Sequence, residues 1–142
     1  MPSRHRAREQ ALQVLFLADI RQQPAEDAIR AYFESLTGEE DAPVPGPDPF
    51  MEQLVRGTIG ACQAIDERIS AHAENWRLAR MPLVDRNIMR MAIYEMTAIG
   101  TPAPVVIDEA LQLARRYSTE EAVAFINGVL DAVRKEISAS VP

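Results

Sequence analysis

Apolar positions recur every three or four residues through most of the chain, a period that predicts α-helices. The repeat is clearest near the C-terminus, where the apolar side chains are Val123, Ile126, Leu130, Val133 and Ile137. We find no segment with the alternating pattern of a half-buried strand. The pattern therefore predicts an all-α fold, with six to seven helices in two packed small helical bundles.

Start and stop signals predict the first two helices. Ser3 suits the N-cap of a helix that runs to about Gln23 and ends before Pro24. A second helix is predicted over residues 25–37, with Gly38 as its stop. The stretch GEEDAPVPGPDP, which follows, is rich in proline and acid and predicts a loop.

One long helix is predicted after this loop, from Pro49 to about Trp76. Gly57 and Gly60 lie inside it, and we expect them to let another backbone approach closely. Together with the loop, the turn at Trp76 predicts one domain of residues 1–142, made of an N-terminal bundle (about 1–76) and a C-terminal bundle (about 77–142).

The next helix, in MPLVDRNIMRMAIYEM, has two acids within a broad apolar arc. Asp85 lies near the helix start, where the dipole stabilises a negative charge by roughly 0.3–1 kcal/mol. Glu95 lies mid-helix, so we expect it to be buried against an Arg or a backbone N–H. The opposite side of the helix is predicted to be polar, with Arg86, Asn87, Arg90 and Tyr94.

Two further helices complete the prediction, the first running from about Pro104 to Tyr117. Ser118 precedes Glu121 by three residues, which is the spacing of a capping box at the start of the last helix. Asn127 lies beside the apolar seam of that helix, and we expect its side chain to bond to another helix or loop.

Composition bounds the function. The 142 residues suffice for one domain with a core, and the lone Cys62 fits a reducing compartment. The net charge is −6, yet residues 1–23 carry four Arg against two acids, whereas residues 24–54 carry eight acids against one Arg. The basic N-terminus lacks the uninterrupted apolar run of a signal peptide, so we predict a cytoplasmic protein with no membrane span.

The sequence contains none of the catalytic motifs that we searched for. The chain has no phosphate-binding glycine loop, no H-E-x-x-H and no C-x-x-C, and neither His5 nor His72 has a second Cys or His at metal-binding spacing. We therefore predict no enzyme, no catalytic residue, no metal and no cofactor. A binding surface remains, and Arg4, Arg6 and Arg8 at a helix start suit anions. A merely solvated helix start explains the same three residues.

Three stretches in this order resemble the NusB family of transcription antitermination factors. They are AREQALQVLF, VDRNIMRMAIYEM and VVIDEALQLARRYSTEEAVAFINGVLD, of which the end, FINGVLD, is the most specific. The resemblance covers nearly the whole chain and is weakest over residues 22–50. It implies an all-helical fold of two bundles. It also implies binding of single-stranded boxA RNA in ribosomal RNA leader transcripts, together with the ribosomal protein NusE. Other Nus factors and RNA polymerase would complete the assembly that reads through terminators.

The same resemblance implies roles for individual residues. It implies RNA contacts by Arg4, Arg6 and Arg8. Phe16 occupies a position where the better-known members often have Tyr, so a hydroxyl contact is missing there. The acid at Asp85 resembles one that faces NusE. Glu121 and Phe125 match positions near the RNA and partner surface, and we assign Glu121 to the partner and Phe125 to RNA.

Two alternatives stay open. A NusB-like module also forms the N-terminal part of some ribosomal RNA cytosine methyltransferases, but because the sequence ends at Pro142 we expect no cofactor-binding domain to follow. The other alternative is a self-associating helical protein whose apolar surfaces form a homodimer.

Overall fold

The computed structural model describes residues 3–36, 48–73 and 78–139. Within these ranges all regular structure is helical, which confirms the all-α prediction. The helices are α1 (Arg4–Arg21), α2 (Ala25–Leu36), α3 (Pro49–Gly60), α4 (Cys62–His72), α5 (Leu83–Tyr94), α6 (Ala103–Tyr117) and α7 (Glu120–Ala139), with a 3-10 turn at Leu78–Arg80 and a π-helical segment at Glu95–Ile99. None of the described helices is long and apolar enough to cross a membrane.

The chain divides into two compact units, Met1–Gly60 and Ala61–Pro142. This division lies before the boundary near residue 76 that the sequence pattern predicts. Of the other predicted features, Gly38, Trp76 and most of the proline-rich loop lie outside the described residues.

In the first unit α1 packs against both α2 and α3. The N-cap prediction is confirmed, because the hydroxyl of Ser3 accepts a hydrogen bond from the amide of Arg6 at 3.1 Å. Gln22 ends α1 in the left-handed conformation, with φ at 54°. One side of α1 is apolar and buried, through Ala7, Ala11, Leu12, Val14, Leu15 and Ala18.

Polar side chains join the helices of this unit at its surface. Tyr32 of α2 donates a hydrogen bond to Gln13 of α1 at 2.6 Å. Arg56 of α3 donates to Glu26 of α2 at 2.5 Å and to Glu52 one turn earlier at 2.6 Å. The hydrogen bond from Arg56 holds the pKa of the Glu26 carboxyl below its ordinary value. This exposed cluster therefore couples α2 to α3 through charge as well as packing.

The predicted long third helix is wrong, because it breaks into α3 and α4 at Ala61. Ala61 has φ −102° and ψ 10°, the bridge conformation between helix and strand. Gly57 and Gly60 each cost roughly 1 kcal/mol relative to Ala in a helix interior, which weakens the helix where it breaks. A Cβ at Gly60 would meet nothing within 4 Å, so no backbone approaches closely there.

In the second unit α5 packs against α4, α6 and α7. The polar side predicted for α5 is partly buried, because Asn87 and Arg90 are 2% and 7% exposed. Arg90 donates two hydrogen bonds to the carboxylate of Asp66, at 2.7 and 2.9 Å. Because α4 covers this side of α5 and supplies Asp66, a charged residue can be buried there.

The end of α5 is formed by a glycine in the left-handed conformation. The helix continues into the π-helical segment and ends at Gly100, whose φ is +83°. The amide of Gly100 donates to the carbonyl of Glu95 at 2.9 Å. The side chain of Glu95 is 1% exposed, as expected of an acid inside the apolar arc.

The start of α7 corrects the predicted capping box. Thr119, rather than Ser118, caps the helix, since its hydroxyl accepts from the amide of Ala122 at 3.1 Å. Asn127 is exposed rather than enclosed between helices, and the bond from its side chain to another helix or loop stays a prediction. His72 connects α4 to α7 through Glu136, at 2.5 Å.

Candidate nucleic-acid interface and partner pocket

Two arginines at the start of α1 meet one aromatic ring. The guanidinium carbon of Arg4 lies 4.3 Å from the ring centroid of Phe50, and that of Arg8 lies 5.4 Å from it. Both distances are within the range of a cation–π interaction. We call Arg4, Arg8 and Phe50 the arginine–phenylalanine cluster.

Phe50 is fixed at the start of α3 by the local sequence. Its amide donates to the carboxylate of Asp48 at 3.0 Å, and the amide of Glu52 donates to the carbonyl of Asp48 at 3.0 Å. The ring is 9% exposed, because α3 packs on α1. The hydrogen bonds of Asp48 and the packing of α3 on α1 therefore hold the ring of Phe50 in place.

The three predicted arginines differ in exposure. Arg4 and Arg6 are exposed, whereas Arg8 is only 5% exposed. At 3.6 residues per turn Arg6 projects about 200° around α1 from Arg4, so the two exposed cations flank the helix start. The first turn carries no acid, which leaves this end of α1 positive.

Phe16 lies half-buried on α1, about 12 Å of helix length beyond Arg8. It shares a helix with the arginines but lies outside the arginine–phenylalanine cluster. A half-buried ring at this position retains an apolar face, without the hydroxyl that Tyr would offer.

The second unit contains a pocket of about 160 Å³ where α5 and α7 begin. It brings together three residues that the sequence analysis assigned to partner or RNA binding: Asp85, Glu121 and Phe125. Its other lining residues are Met81, Pro82, Thr119 and Ala122. We call this site the α5–α7 pocket.

Asp85 is held inside this pocket by a residue that the sequence analysis missed as a partner. It is 6% exposed, and the hydroxyl of Ser118 donates to its carboxylate at 2.6 Å. Glu121 is exposed, and Phe125 is half-buried. Two acids above an apolar floor suit an Arg or Lys side chain, whose stem is apolar and whose end is charged.

The possible metal ligands of the described residues do not gather at one site. Among residues 3–36, 48–73 and 78–139, no three His, Cys, Asp or Glu side chains converge to hold a metal ion. The two histidines instead face carboxylates, His5 at 2.9 Å from Glu9 and His72 at 2.5 Å from Glu136.

Comparison with known proteins decides the family. The family model of the NusB family matches residues 5–135. The chain belongs to the NusB family. It is 60% identical over 137 residues to the transcription antitermination protein NusB of Solibacter usitatus (strain Ellin6076), covering 96% of this chain and 92% of that protein.

Solved NusB structures have the same fold. The structure of T. maritima NusB matches with a TM-score of 0.80 and 31% identity, covering 95% of this chain and 92% of that one. A crystal structure of antitermination factors NusB and NusE in complex with dsRNA matches with a TM-score of 0.78 and 26% identity. That match covers 95% of this chain and 99% of the other.

The residues that the sequence analysis missed are Phe50 and Ser118. Each contacts a predicted site residue of a different helix. The two residues of each contact are far apart in the sequence, so helical periodicity cannot predict that they meet. Ser118 did carry a signal, as a polar residue just before a helix, but that signal indicated a cap rather than a bond to Asp85.

Proposed function

We propose that this chain is a non-enzymatic transcription antitermination factor that binds boxA-type single-stranded RNA together with the ribosomal protein NusE. The observation that carries the proposal is its 60% identity, over 96% of its length, to a curated antitermination protein NusB. The NusB in the solved complex that it resembles assembles with NusE and dsRNA. In the cytoplasm, the protein would assemble further with other Nus factors and RNA polymerase.

In this proposal the start of α1 binds RNA. Arg4 and Arg6 are exposed there and are free of acidic neighbours in the first turn. Arginine pairs with phosphate through a planar fork of N–H donors. We assign phosphate contacts to Arg4 and Arg6, and a supporting role to the buried Arg8. Phe16 and Phe125 would supply apolar faces for unstacked bases.

NusE would bind at the α5–α7 pocket. Glu121 is exposed at its rim, where it can meet a cation, while the more buried Asp85 supplies negative charge from below. A basic side chain of the partner would place its stem against Met81 and Ala122.

The RNA assignment is tested with Arg4→Ala/Arg6→Ala, by titrating a boxA-like RNA at several salt concentrations. Each phosphate contact on a single strand contributes about 0.7 to the slope of log affinity against log salt. The double variant should therefore lose about 1.4 from that slope. Arg21→Ala/Arg68→Ala removes the same charge from exposed positions elsewhere and should leave the slope nearer to that of the unmodified protein.

Two further outcomes bear on this assignment. Tighter binding of the same sequence as a duplex would contradict the single-stranded preference. An unchanged slope in Arg4→Ala/Arg6→Ala would move the RNA surface elsewhere.

The partner assignment is tested with Glu121→Lys and NusE in titration calorimetry. Like charges brought together at an interface cost several kcal/mol, so affinity should fall at least tenfold. Glu120→Lys is the matched control, because Glu120 is also exposed in the first turn of α7 but does not line the pocket. Equal losses in both variants would contradict a specific contact at Glu121.

A further inference from the structure

The arginine–phenylalanine cluster places an exposed cation over a fixed ring. Arg4 is exposed, while its guanidinium lies 4.3 Å from the centroid of the largely buried Phe50. Phe50 comes from the start of α3, a different helix. No step in the proposed function so far uses this ring.

We propose that Phe50 is a positioning residue that pre-orients Arg4 for RNA phosphate. The inference rests on the proposed function, because it assumes that Arg4 contacts RNA. It adds a residue on α3 to a binding surface otherwise formed by α1.

The first reason is conformational entropy. An exposed arginine has many rotamers, and binding must select one of them at a cost in affinity. The ring of Phe50 favours rotamers that lay the guanidinium over its face, and a stacked guanidinium still points N–H donors outward from its edge. Arg4 can therefore bind phosphate without leaving the ring.

The second reason is the rigidity of the support. Asp48 accepts the amide of Phe50 at 3.0 Å, and the ring is 9% exposed. Arg8 lies one helical turn from Arg4 and also reaches the ring, at 5.4 Å, but is 5% exposed. Of the two cations at this ring, Arg4 is the one that a solvent-borne phosphate can reach.

The test is a double-mutant cycle of Arg4→Ala and Phe50→Leu, read out as affinity for a boxA-like RNA. Leucine keeps the position apolar but removes the π face. We expect Phe50→Leu to weaken binding about three- to fivefold, with the salt slope unchanged because the phosphate contact itself remains. Phe50→Trp should restore affinity, since Trp is the strongest cation–π acceptor. Phe33→Leu, the same change at a half-buried ring elsewhere in this unit, should have no effect on RNA binding.

The outcomes separate the two hypotheses. If Arg4→Ala does not weaken binding at all, the RNA contact of Arg4 in the proposed function fails. If Arg4→Ala weakens binding equally in the unmodified protein and in the Phe50→Leu variant, the contact stands but positioning by Phe50 is overturned.

A measurement on the unmodified protein covers the case in which Phe50→Leu fails to fold. In NMR spectra without RNA, the δ protons of Arg4 should be shifted upfield by the ring current, and its Nε–Hε group should be more ordered than that of the exposed Arg21. An Arg4 side chain as mobile and unshifted as Arg21 would overturn the inference.

Discussion

At the scale of single residues, Asp85 has two structural supports that do not depend on a partner. It lies in the first turn of α5, where the helix dipole favours an acid, and it accepts a hydrogen bond from Ser118. Reversing its charge would bury a cation at a site that is 6% exposed. Loss of NusE binding in Asp85→Lys would therefore mix a folding defect with an interface defect. Charge reversal at the exposed Glu121 avoids the folding defect, so a loss of NusE binding there reports the interface defect alone.

We expect Ser118→Ala to lower the free energy of unfolding by about 1–3 kcal/mol, because it leaves a buried carboxylate oxygen without its donor. Urea unfolding monitored by circular dichroism measures this. Ser138→Ala, at an exposed position in the last turn of α7, is the matched control and should change stability by less than about 0.5 kcal/mol. Equal stability of the two variants would mean that the Ser118–Asp85 bond contributes nothing.

At the scale of elements, local signals predicted most helix ends but not the break at Ala61. Ser3 and Pro24 act within one turn of their own position, so the sequence alone indicates them. The apolar spacing continues from α3 into α4, because each helix separately buries one side. Periodicity therefore could not distinguish one long helix from two helices that meet at Ala61.

Gly100 and Gly60 allow a matched test of backbone conformation. A Cβ would meet nothing within 4 Å at either position, but Gly100 has φ +83° whereas α3 is still helical at Gly60. Gly100→Ala should destabilise the protein by about 1–2 kcal/mol, the cost of a left-handed conformation with a Cβ. Gly60→Ala should stabilise it by up to about 1 kcal/mol. Thermal unfolding of both variants checks this, and a loss of stability in Gly60→Ala would contradict the open space there.

The candidate sites were less predictable than the helices, because their side chains meet across long sequence separations. A helical wheel places Arg90 on the polar side of α5 but does not show that α4 packs against that side and supplies Asp66 as its partner. In the same way the sequence groups Arg4, Arg6 and Arg8, although Arg8 is buried and its guanidinium lies 5.4 Å from the ring centroid of Phe50 in α3. The assignment of Asp85, Glu121 and Phe125 came from family resemblance, and their shared pocket lay beyond what periodicity could predict.

At the scale of the whole molecule, net charge is a poor guide to the binding surface. The chain carries −6, yet the start of α1 has two exposed arginines and no acid in its first turn. Many of the acids instead pair with basic groups within the fold, as Glu26 and Glu52 do with Arg56 and as Asp131 does with Arg134 and Lys135. Electrostatic attraction of RNA depends on the local excess of positive charge rather than on the sum.

The same pairs predict how stability depends on pH. The hydrogen bond from Arg56 lowers the pKa of Glu26 from its ordinary 4.5, and the hydrogen bond from Arg134 lowers the pKa of Asp131 from 3.8. The unfolded chain therefore binds protons at a higher pH than the folded one. The contribution of both groups is complete above about pH 5 and is lost as the pH falls through the folded values. The contribution of these two carboxylates to stability should be nearly constant from about pH 5 to 8 and should decrease below about pH 4.5.

Glu26→Gln/Asp131→Asn should remove part of this acid dependence. We expect the double variant to be less stable than the unmodified protein at about pH 7 and closer to it at about pH 3, because both proteins have then lost the two ion pairs. Urea unfolding at half-unit steps between these two pH values measures the difference. The control is Glu67→Gln/Glu120→Gln, which neutralises two exposed glutamates outside these clusters. A stability difference that stays constant across this range would show that the two carboxylates do not link folding to proton binding, since linkage requires the difference to shrink as they become protonated.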